Sequence, residues 1–271
     1  MFKKLIYTSV ILFVITSAWS CSKYQKLLKS TDLDAKYAAA EAYYVKEDYF
    51  HAQQLFDDLI PYYRGTEKAE KINYYYAYCY YGSSDYTTAA YYFKSFATTY
   101  PHSKYACEAQ YLSAYCTYLD SPDYTLDQTN TVSAIKELQL FVNIYPTSDS
   151  VTLCNKLIDD LRSKLEYKEY EVSKLYFKLE DYKAAIVLFN NTMKDYPDTK
   201  FKEEILYYIM KSNYLYANNS IQSKKLERYQ SSVDAYGVLI DAFPQSKFQK
   251  EAEIVNKNSL KEINKIKNIK S

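Results

Sequence analysis

A proline-containing turn recurs five times along this chain, and its spacing constrains the fold more than any other feature of the sequence. In each copy an aromatic or apolar residue precedes the proline. The five prolines are Pro61, Pro101, Pro146, Pro197 and Pro244. In the last four copies, Ala or Ser lies twelve residues before the proline, and an aromatic residue or Leu lies eight residues before it. A period of about 20 to 50 residues is typical of stacked supersecondary units, so the sequence predicts a repeat protein.

The residues between the prolines favour pairs of helices. The chain of 271 residues has only three glycines, too few for a turn-rich β-sandwich or propeller. In the second repeat Ala77 and Tyr80 lie one helical turn apart, and Ala89 and Phe93 repeat this spacing further on. Small residues let two helices approach closely, while the aromatic residues fill the space beside them. Proline then closes the second helix, because it cannot continue the hydrogen-bond ladder.

This pattern resembles the tetratricopeptide (TPR) repeat, whose signature runs from a small residue and Tyr to Ala, an aromatic residue and Pro. The resemblance implies an all-α fold: an α-solenoid of about five TPR-like helix pairs with a concave face and a C-terminal capping helix. The predicted repeats comprise residues 36–66, 67–104, 105–149, 150–201 and 202–248. Residues 249–271 are predicted to form the capping helix with its basic tail.

The first twenty residues predict a targeting segment. Two lysines precede an apolar stretch from Leu5 to Ala18, and this order describes a secretory signal. The Ala-Trp-Ser-Cys junction resembles a bacterial lipoprotein box, in which Cys21 carries palmitate-type acyl chains. We therefore expect a signal peptide at residues 1–20 and a lipidated linker at residues 21–35. The alternative is ordinary signal cleavage nearby, which would leave Cys21 as a thiol.

The sequence offers little from which to build an enzyme, a metal site or a cofactor site. It has two histidines, His51 and His102, and no glycine-rich phosphate-binding motif. No C-x-x-C pair occurs, and we expect Cys79 and Cys116 to be small buried side chains rather than disulfide partners. Removing residues 1–20 removes two lysines and no acids, which changes the formal net charge from +1 to −1. A nearly neutral chain does not favour nucleic acid as a partner.

Tyrosine is the surplus residue, with 35 copies. The repeat register directs one face of each first helix toward the concave surface, and in the first three repeats that face is rich in tyrosine. Tyrosine offers a large rigid contact area and a hydroxyl group at low entropic cost, which suits a peptide-binding groove. The predicted groove residues are Tyr37, Tyr44, Tyr74, Tyr78, Tyr81, Tyr111, Tyr115 and Tyr118. The alternative is that these rings only pack against the next repeat.

The order of the parts is similar to the BamD-type family of outer-membrane-protein assembly lipoproteins. The similarity rests on the lipoprotein box, on the following Ser-Lys-Tyr-Gln-Lys-Leu-Leu-Lys-Ser, and on five TPR-like units with Tyr-Pro-x-Ser turns. The resemblance implies a lipid-anchored, non-enzymatic scaffold on the periplasmic face of the outer membrane, within the BAM complex. It implies two partners: the barrel-forming assembly subunit and unfolded outer-membrane-protein segments.

Two other functions fit the same sequence. The first is another periplasmic TPR adaptor lipoprotein, for envelope division, pilus assembly or polymer export. The second is a hydrolase that uses carboxylates in the groove. A hydrolase of this kind would need paired acids on the concave side, where the sequence places mainly tyrosines.

Overall fold

The computed structural model describes the backbone of residues 23–270 and the side chains of residues 23–268, and this part of the chain contains twelve α-helices and no strand. The short helix α1 covers residues 23–28. The others are α2 (Leu33–Val45), α3 (Tyr49–Tyr63), α4 (Glu67–Gly82), α5 (Tyr86–Thr99), α6 (Ala106–Leu119), α7 (Thr129–Ile144), α8 (Val151–Lys178), α9 (Tyr182–Asp195), α10 (Lys202–Asn218), α11 (Gln222–Ala242) and α12 (Gln249–Lys270). The predicted all-α fold of TPR-like helix pairs is confirmed, while the exact bounds of the five repeats stay a prediction.

An aspartate starts the second helix of three pairs. The side chains of Asp48, Asp85 and Asp181 each accept a hydrogen bond from the backbone N–H three residues further on. Such a bond satisfies one of the free N–H groups at a helix N-terminus. The residue before each aspartate adopts a positive φ between 59° and 63°, as seen in Glu47, Ser84 and Glu180. The tight reversal between paired helices is therefore built from a left-handed residue and an aspartate cap.

Small residues and large apolar residues alternate in the helix-pair core. Ala89 and Ala185 are fully buried, as the repeat register predicts. The residue four positions after each of these alanines, Phe93 or Phe189, is fully buried as well. The same arrangement holds in two other pairs, where the fully buried residues are Ala52 with Phe56, and Ala134 with Leu138. On α11 Ser232 is fully buried, but Tyr236 four positions later is only half-buried. Residues four apart share one helix face, so each second helix presents one small and one large residue to its neighbours.

The proline turns add a second packing device. In three turns, the aromatic residue four positions after the proline stacks on a tyrosine of the preceding first helix. The ring centroids lie 4.4 Å apart for Tyr74–Tyr105, 4.2 Å for Tyr170–Phe201 and 4.3 Å for Tyr207–Phe248. A hydroxyl in each turn accepts a hydrogen bond from the backbone N–H of the turn's aromatic residue. The accepting hydroxyls belong to Ser103, Thr199 and Ser246. The hydroxyl thereby holds the ring in place over the first helix.

The helices pack as two compact units. The N-terminal unit contains the described residues up to Pro122 together with Gln128–Ile158, and the C-terminal unit contains Asp123–Asp127 and the residues from Asp159 onward. In the N-terminal unit the core forms around Phe56, Ile72 and Phe93. In the C-terminal unit, α12 buries Ala252, Ile263 and Ile266 against α10 and α11. The last helix thus covers the apolar side of the final pair.

Two cysteines of the described chain, Cys79 and Cys116, are packing residues. Cys79 and Cys116 are fully buried, as predicted from their place in aromatic helices, and both thiols are free. Burial raises the pKa of each thiol to about 12, which keeps the thiolate form rare at neutral pH. Within residues 23–270, none of the helices combines the length and the apolar character needed to cross a membrane.

Candidate functional site

Seven of the eight predicted groove tyrosines are half-buried on the first helices α2, α4 and α6 of the N-terminal unit. Several of the rings contact one another: Tyr44 lies 6.3 Å from Tyr78, and Tyr78 lies 6.0 Å from Tyr81. On α6, Tyr115 lies 5.8 Å from Tyr111 and 5.9 Å from Tyr118, in both cases with nearly parallel ring planes. We refer to these seven tyrosines together with Tyr75, which is also half-buried on α4, as the tyrosine row: Tyr37, Tyr44, Tyr75, Tyr78, Tyr81, Tyr111, Tyr115 and Tyr118.

Tyr74 is the exception among the predicted groove residues. Its side chain is only 4% exposed, so its ring lies in the core and not on a surface that a peptide can reach. The physical reason is the turn after α5, which delivers Tyr105 as a stacking partner at 4.4 Å. Phe96, at 5.4 Å, packs beside the same ring. The sequence-based placement of Tyr74 in the groove is therefore corrected.

Tyr75 belongs to the row, although the sequence pattern did not select it. Its ring stacks on Tyr44 at 4.2 Å with an interplanar angle of 13°. The residue lies one helical turn before Tyr78, and this spacing was the available signal. The run Tyr74-Tyr75-Tyr76 hid the signal, because three consecutive tyrosines give no helical period from which to choose.

Polar groups border the row and fix the orientation of its hydroxyls. Tyr37 donates a hydrogen bond to Glu41 at 2.8 Å, and Glu41 forms an ion pair with Lys71 at 2.5 Å. The ammonium group of Lys71 also lies 5.3 Å from the centroid of the Tyr75 ring. At the other side, Tyr78 donates a hydrogen bond to Glu108 at 2.8 Å. The row therefore offers aromatic surface together with charged and hydrogen-bonding groups at its edge.

The hydroxyls of Tyr37, Tyr78 and Tyr111 are neutral at physiological pH. Burial is the largest cause that raises the pKa of Tyr37, Tyr78 and Tyr111 to about 12, and neighbouring carboxylates or tyrosines add to it. A phenol with a raised pKa is a poor nucleophile and a poor general base, because its reactive anion is rare. It remains a good hydrogen-bond donor. These three hydroxyls are therefore suited to hydrogen bonding.

Carboxylates meet in the C-terminal unit, in a cleft of about 270 Å³ between α8 and α9. Burial and the charge of Asp195 raise the pKa of Glu169, while the Tyr196 hydroxyl donates a hydrogen bond to the Glu169 carboxylate. The cleft is therefore lined by two neighbouring carboxylates, Glu169 and Asp195, of which Glu169 also has a hydrogen-bond partner in Tyr196. Within the described side chains, no cluster of three or more His, Cys, Asp and Glu residues is arranged to hold a metal ion.

The predicted lipidation site Cys21 and the predicted signal peptide at residues 1–20 lie outside the described residues. The described chain begins just after them, with α1. Near the start of the described residues, the ring of Tyr24 is buried against α2 and α3.

Stacked helix pairs that carry a row of aromatic side chains define the class of helical-repeat binding proteins. Comparison with protein families is more specific. Residues 30–229 match the YfiO family of outer membrane lipoproteins, and the chain belongs to this BamD-type family. Membership places the protein among outer membrane lipoproteins with a BamD-like role in general. A comparison with curated proteins found no match.

Proposed function

We propose that this protein is a non-enzymatic scaffold of the outer-membrane β-barrel assembly machinery. In this proposal Cys21 is acylated after removal of residues 1–20, and the repeats lie on the periplasmic face of the outer membrane. They bind the barrel-forming assembly subunit and unfolded outer-membrane-protein segments. The observation that carries the proposal is the match of residues 30–229 to a family of outer membrane lipoproteins.

The tyrosine row supports the substrate part of the proposal. In an extended strand, alternate side chains on one face lie about 6.5 Å apart. The rings of Tyr111, Tyr115 and Tyr118 are spaced by 5.8 and 5.9 Å, which is close to that repeat. Successive apolar side chains of an extended segment therefore fit against successive rings. The hydroxyls of these three tyrosines then donate hydrogen bonds to carbonyl groups of the bound segment.

Tyr115 is the best residue with which to test peptide binding. Its ring contacts are the neighbouring Tyr111 and Tyr118 of the same helix. By contrast, Tyr78 also packs on the core residue Phe93 at 5.2 Å, so its removal would disturb the fold. A buried aromatic anchor typically contributes more than 1 kcal/mol to a protein–peptide contact. We expect Tyr115→Ala to weaken the binding of a barrel-protein terminal-strand peptide by roughly tenfold or more.

The peptide affinity is measured by fluorescence anisotropy with the labelled peptide. The matched control is Tyr91→Ala, because Tyr91 is 67% exposed on α5 and lies outside the row. The control should bind the peptide as the unmodified protein does. If the Tyr115→Ala and Tyr91→Ala variants bind the peptide with equal affinity and show unchanged helical circular dichroism, the tyrosine row does not bind the peptide and serves only in packing.

The proposed partners and the proposed lipid anchor are tested on the protein in its native membrane. Outer membranes are solubilised in mild detergent, the protein is captured, and the co-purifying chains are identified by mass spectrometry. We expect the barrel-forming assembly subunit among them. The Cys21→Ala variant should accumulate as an uncleaved or soluble form, since acylation and processing both use the thiol. Recovery of envelope-division, pilus or polymer-export proteins instead would favour a different adaptor role.

A further inference from the structure

The N-terminal segment packs against the rest of the fold at Tyr24, three residues after Cys21. Tyr24 is 4% exposed, and its hydroxyl donates a hydrogen bond to the side-chain oxygen of Gln54 at 2.7 Å. Its ring lies 4.2 Å from the His51 ring and 5.7 Å from the Tyr43 ring. These partners belong to the end of α2 and the beginning of α3. The N-terminal segment is therefore held at the connection between these two helices.

This pinning restricts where acyl chains on Cys21 can enter a bilayer. Three residues of extended chain reach at most about 11 Å. Cys21 is three residues before Tyr24, so an acylated Cys21 lies within about that distance of Tyr24. The connection between α2 and α3 is consequently close to the anchored lipid.

That connection carries exposed apolar side chains. Val45, the last residue of α2, is 78% exposed, and Phe50, near the start of α3, is 63% exposed. The Phe50 ring lies 5.4 Å from the ring of His51, which is itself in contact with Tyr24. The two apolar residues thus lie on the same corner as the pinned N-terminal segment.

The charges on this corner are mixed. Lys46 is exposed beside Val45, and Lys23 and Lys26 are exposed on α1. The acids of the connection are Glu47 and Asp48, and Asp48 is engaged with the His51 ring nitrogen at 2.8 Å. The lysines favour phosphate headgroups, and the two acids oppose them. The apolar side chains therefore provide the principal attraction to a bilayer.

We propose that the α2–α3 corner, formed by Val45, Lys46 and Phe50, docks on the membrane surface with its apolar side chains in the headgroup region. The proposal rests on the proposed acylation of Cys21, because the anchor holds the corner at the bilayer. Binding of the corner is then an intramolecular event, so a weak apolar contact is sufficient. Apolar side chains of interfacial segments typically sit about 5 to 10 Å into the boundary between headgroups and acyl chains.

A single tryptophan reports this contact. The chain's one tryptophan is Trp19, which falls in the predicted signal peptide, so the processed chain has none. Phe50→Trp therefore introduces a sole fluorophore on the corner. The matched control is Tyr62→Trp: Tyr62 is 64% exposed and lies on the same helix, twelve residues from Phe50, or about 18 Å along the helix axis.

The processed, lipidated variants are reconstituted into vesicles of phosphatidylethanolamine and phosphatidylglycerol. A second set of vesicles contains phospholipid brominated on the acyl chain close to the headgroup, which quenches tryptophan on contact. We expect Phe50→Trp to show a blue-shifted emission that loses most of its intensity in the brominated vesicles. Tyr62→Trp should keep the emission of a solvent-exposed indole in both sets.

Flotation of the same samples separates the anchor from the docking. If the variants float with the vesicles but Phe50→Trp is quenched no more than Tyr62→Trp, the anchor stands and the docking proposal is wrong. A blue shift without quenching would mean that protein covers the corner, for example a second copy of this chain, and would also overturn the proposal. Failure to float would remove both the anchor and the docking that rests on it.

Discussion

Replacement of Tyr74 by Ala tests whether this tyrosine belongs to the core or to the binding surface. The ring is 4% exposed and contacts Tyr105, Tyr78 and Phe96 at centroid distances of 4.4, 5.0 and 5.4 Å. Truncating a large buried aromatic residue to Ala typically costs about 3 to 5 kcal/mol, because transfer energy is lost and a cavity remains. We expect a decrease of this size in the free energy of unfolding of the N-terminal unit.

The Tyr74→Phe variant separates the ring from its hydroxyl. Burial is the largest cause that raises the pKa of the Tyr74 hydroxyl, and interactions with Glu108 and Tyr78 add to it. A net intramolecular hydrogen bond contributes about 1 kcal/mol. Tyr74→Phe should therefore lose roughly a third or less of the stability that Tyr74→Ala loses.

The assay is urea unfolding of the processed chain, followed by far-ultraviolet circular dichroism. Because the chain packs as two units, the transition to follow is the one that the substitution shifts. Tyr91→Ala is the control, since Tyr91 is 67% exposed, and surface substitutions usually change stability by no more than about 0.5 kcal/mol. If Tyr74→Ala unfolds at the same urea concentration as this control, Tyr74 is not a core residue and the correction to the groove is wrong.

Three further predictions address packing, capping and pH. Ala185→Leu should lower the free energy of unfolding by about 1 to 3 kcal/mol through overpacking, since Ala185 is fully buried; urea titration measures it, and an unchanged midpoint would contradict the repeat register. Asp181→Ala should lower the free energy of unfolding by about 1 kcal/mol, because the Asp181 side chain no longer accepts the hydrogen bond from the Ala184 N–H at 3.1 Å. Asp181→Asn should keep most of this stability, since Asn caps a helix about as well as Asp. The folded-state pKa of Tyr78, about 12, lies above the ordinary value near 10, so the stability that its neutral form provides is complete below pH 10 and is lost as the pH rises toward 12. Tyr78→Phe should reduce this alkaline loss in unfolding curves, and an identical loss in both proteins would contradict the assignment.

The helix-pair core could be predicted from the sequence because its code is local. Ala and Phe four residues apart share one face of a helix whatever lies around them, and Pro ends the helix that carries them. For this reason Ala89 and Ala185 are buried where the repeat register put them. The aspartates before α3, α5 and α9 follow the same logic, since a cap acts within one helical turn.

The division of tyrosines between core and surface could not be predicted in the same way. Successive residues of a helix differ in direction by about 100°, so a run of identical residues such as Tyr74-Tyr75-Tyr76 contains no period that selects one of them. The choice is made by partners distant in the chain. Tyr105 covers Tyr74 from the next turn, whereas Tyr75 meets Tyr44 of the preceding repeat.

The sequence by itself therefore determined the class of the fold, the order of its parts and the small and large residues between paired helices, since these depend on spacing along the chain. Only the tertiary structure decided which rings remain half-buried and where the N-terminal segment is fixed. Tyr24 is buried because the connection between α2 and α3 brings His51 and Gln54 to it, from 27 and 30 residues away. Contacts of that kind depend on how helices pack in space, and no pattern in the neighbouring residues encodes them.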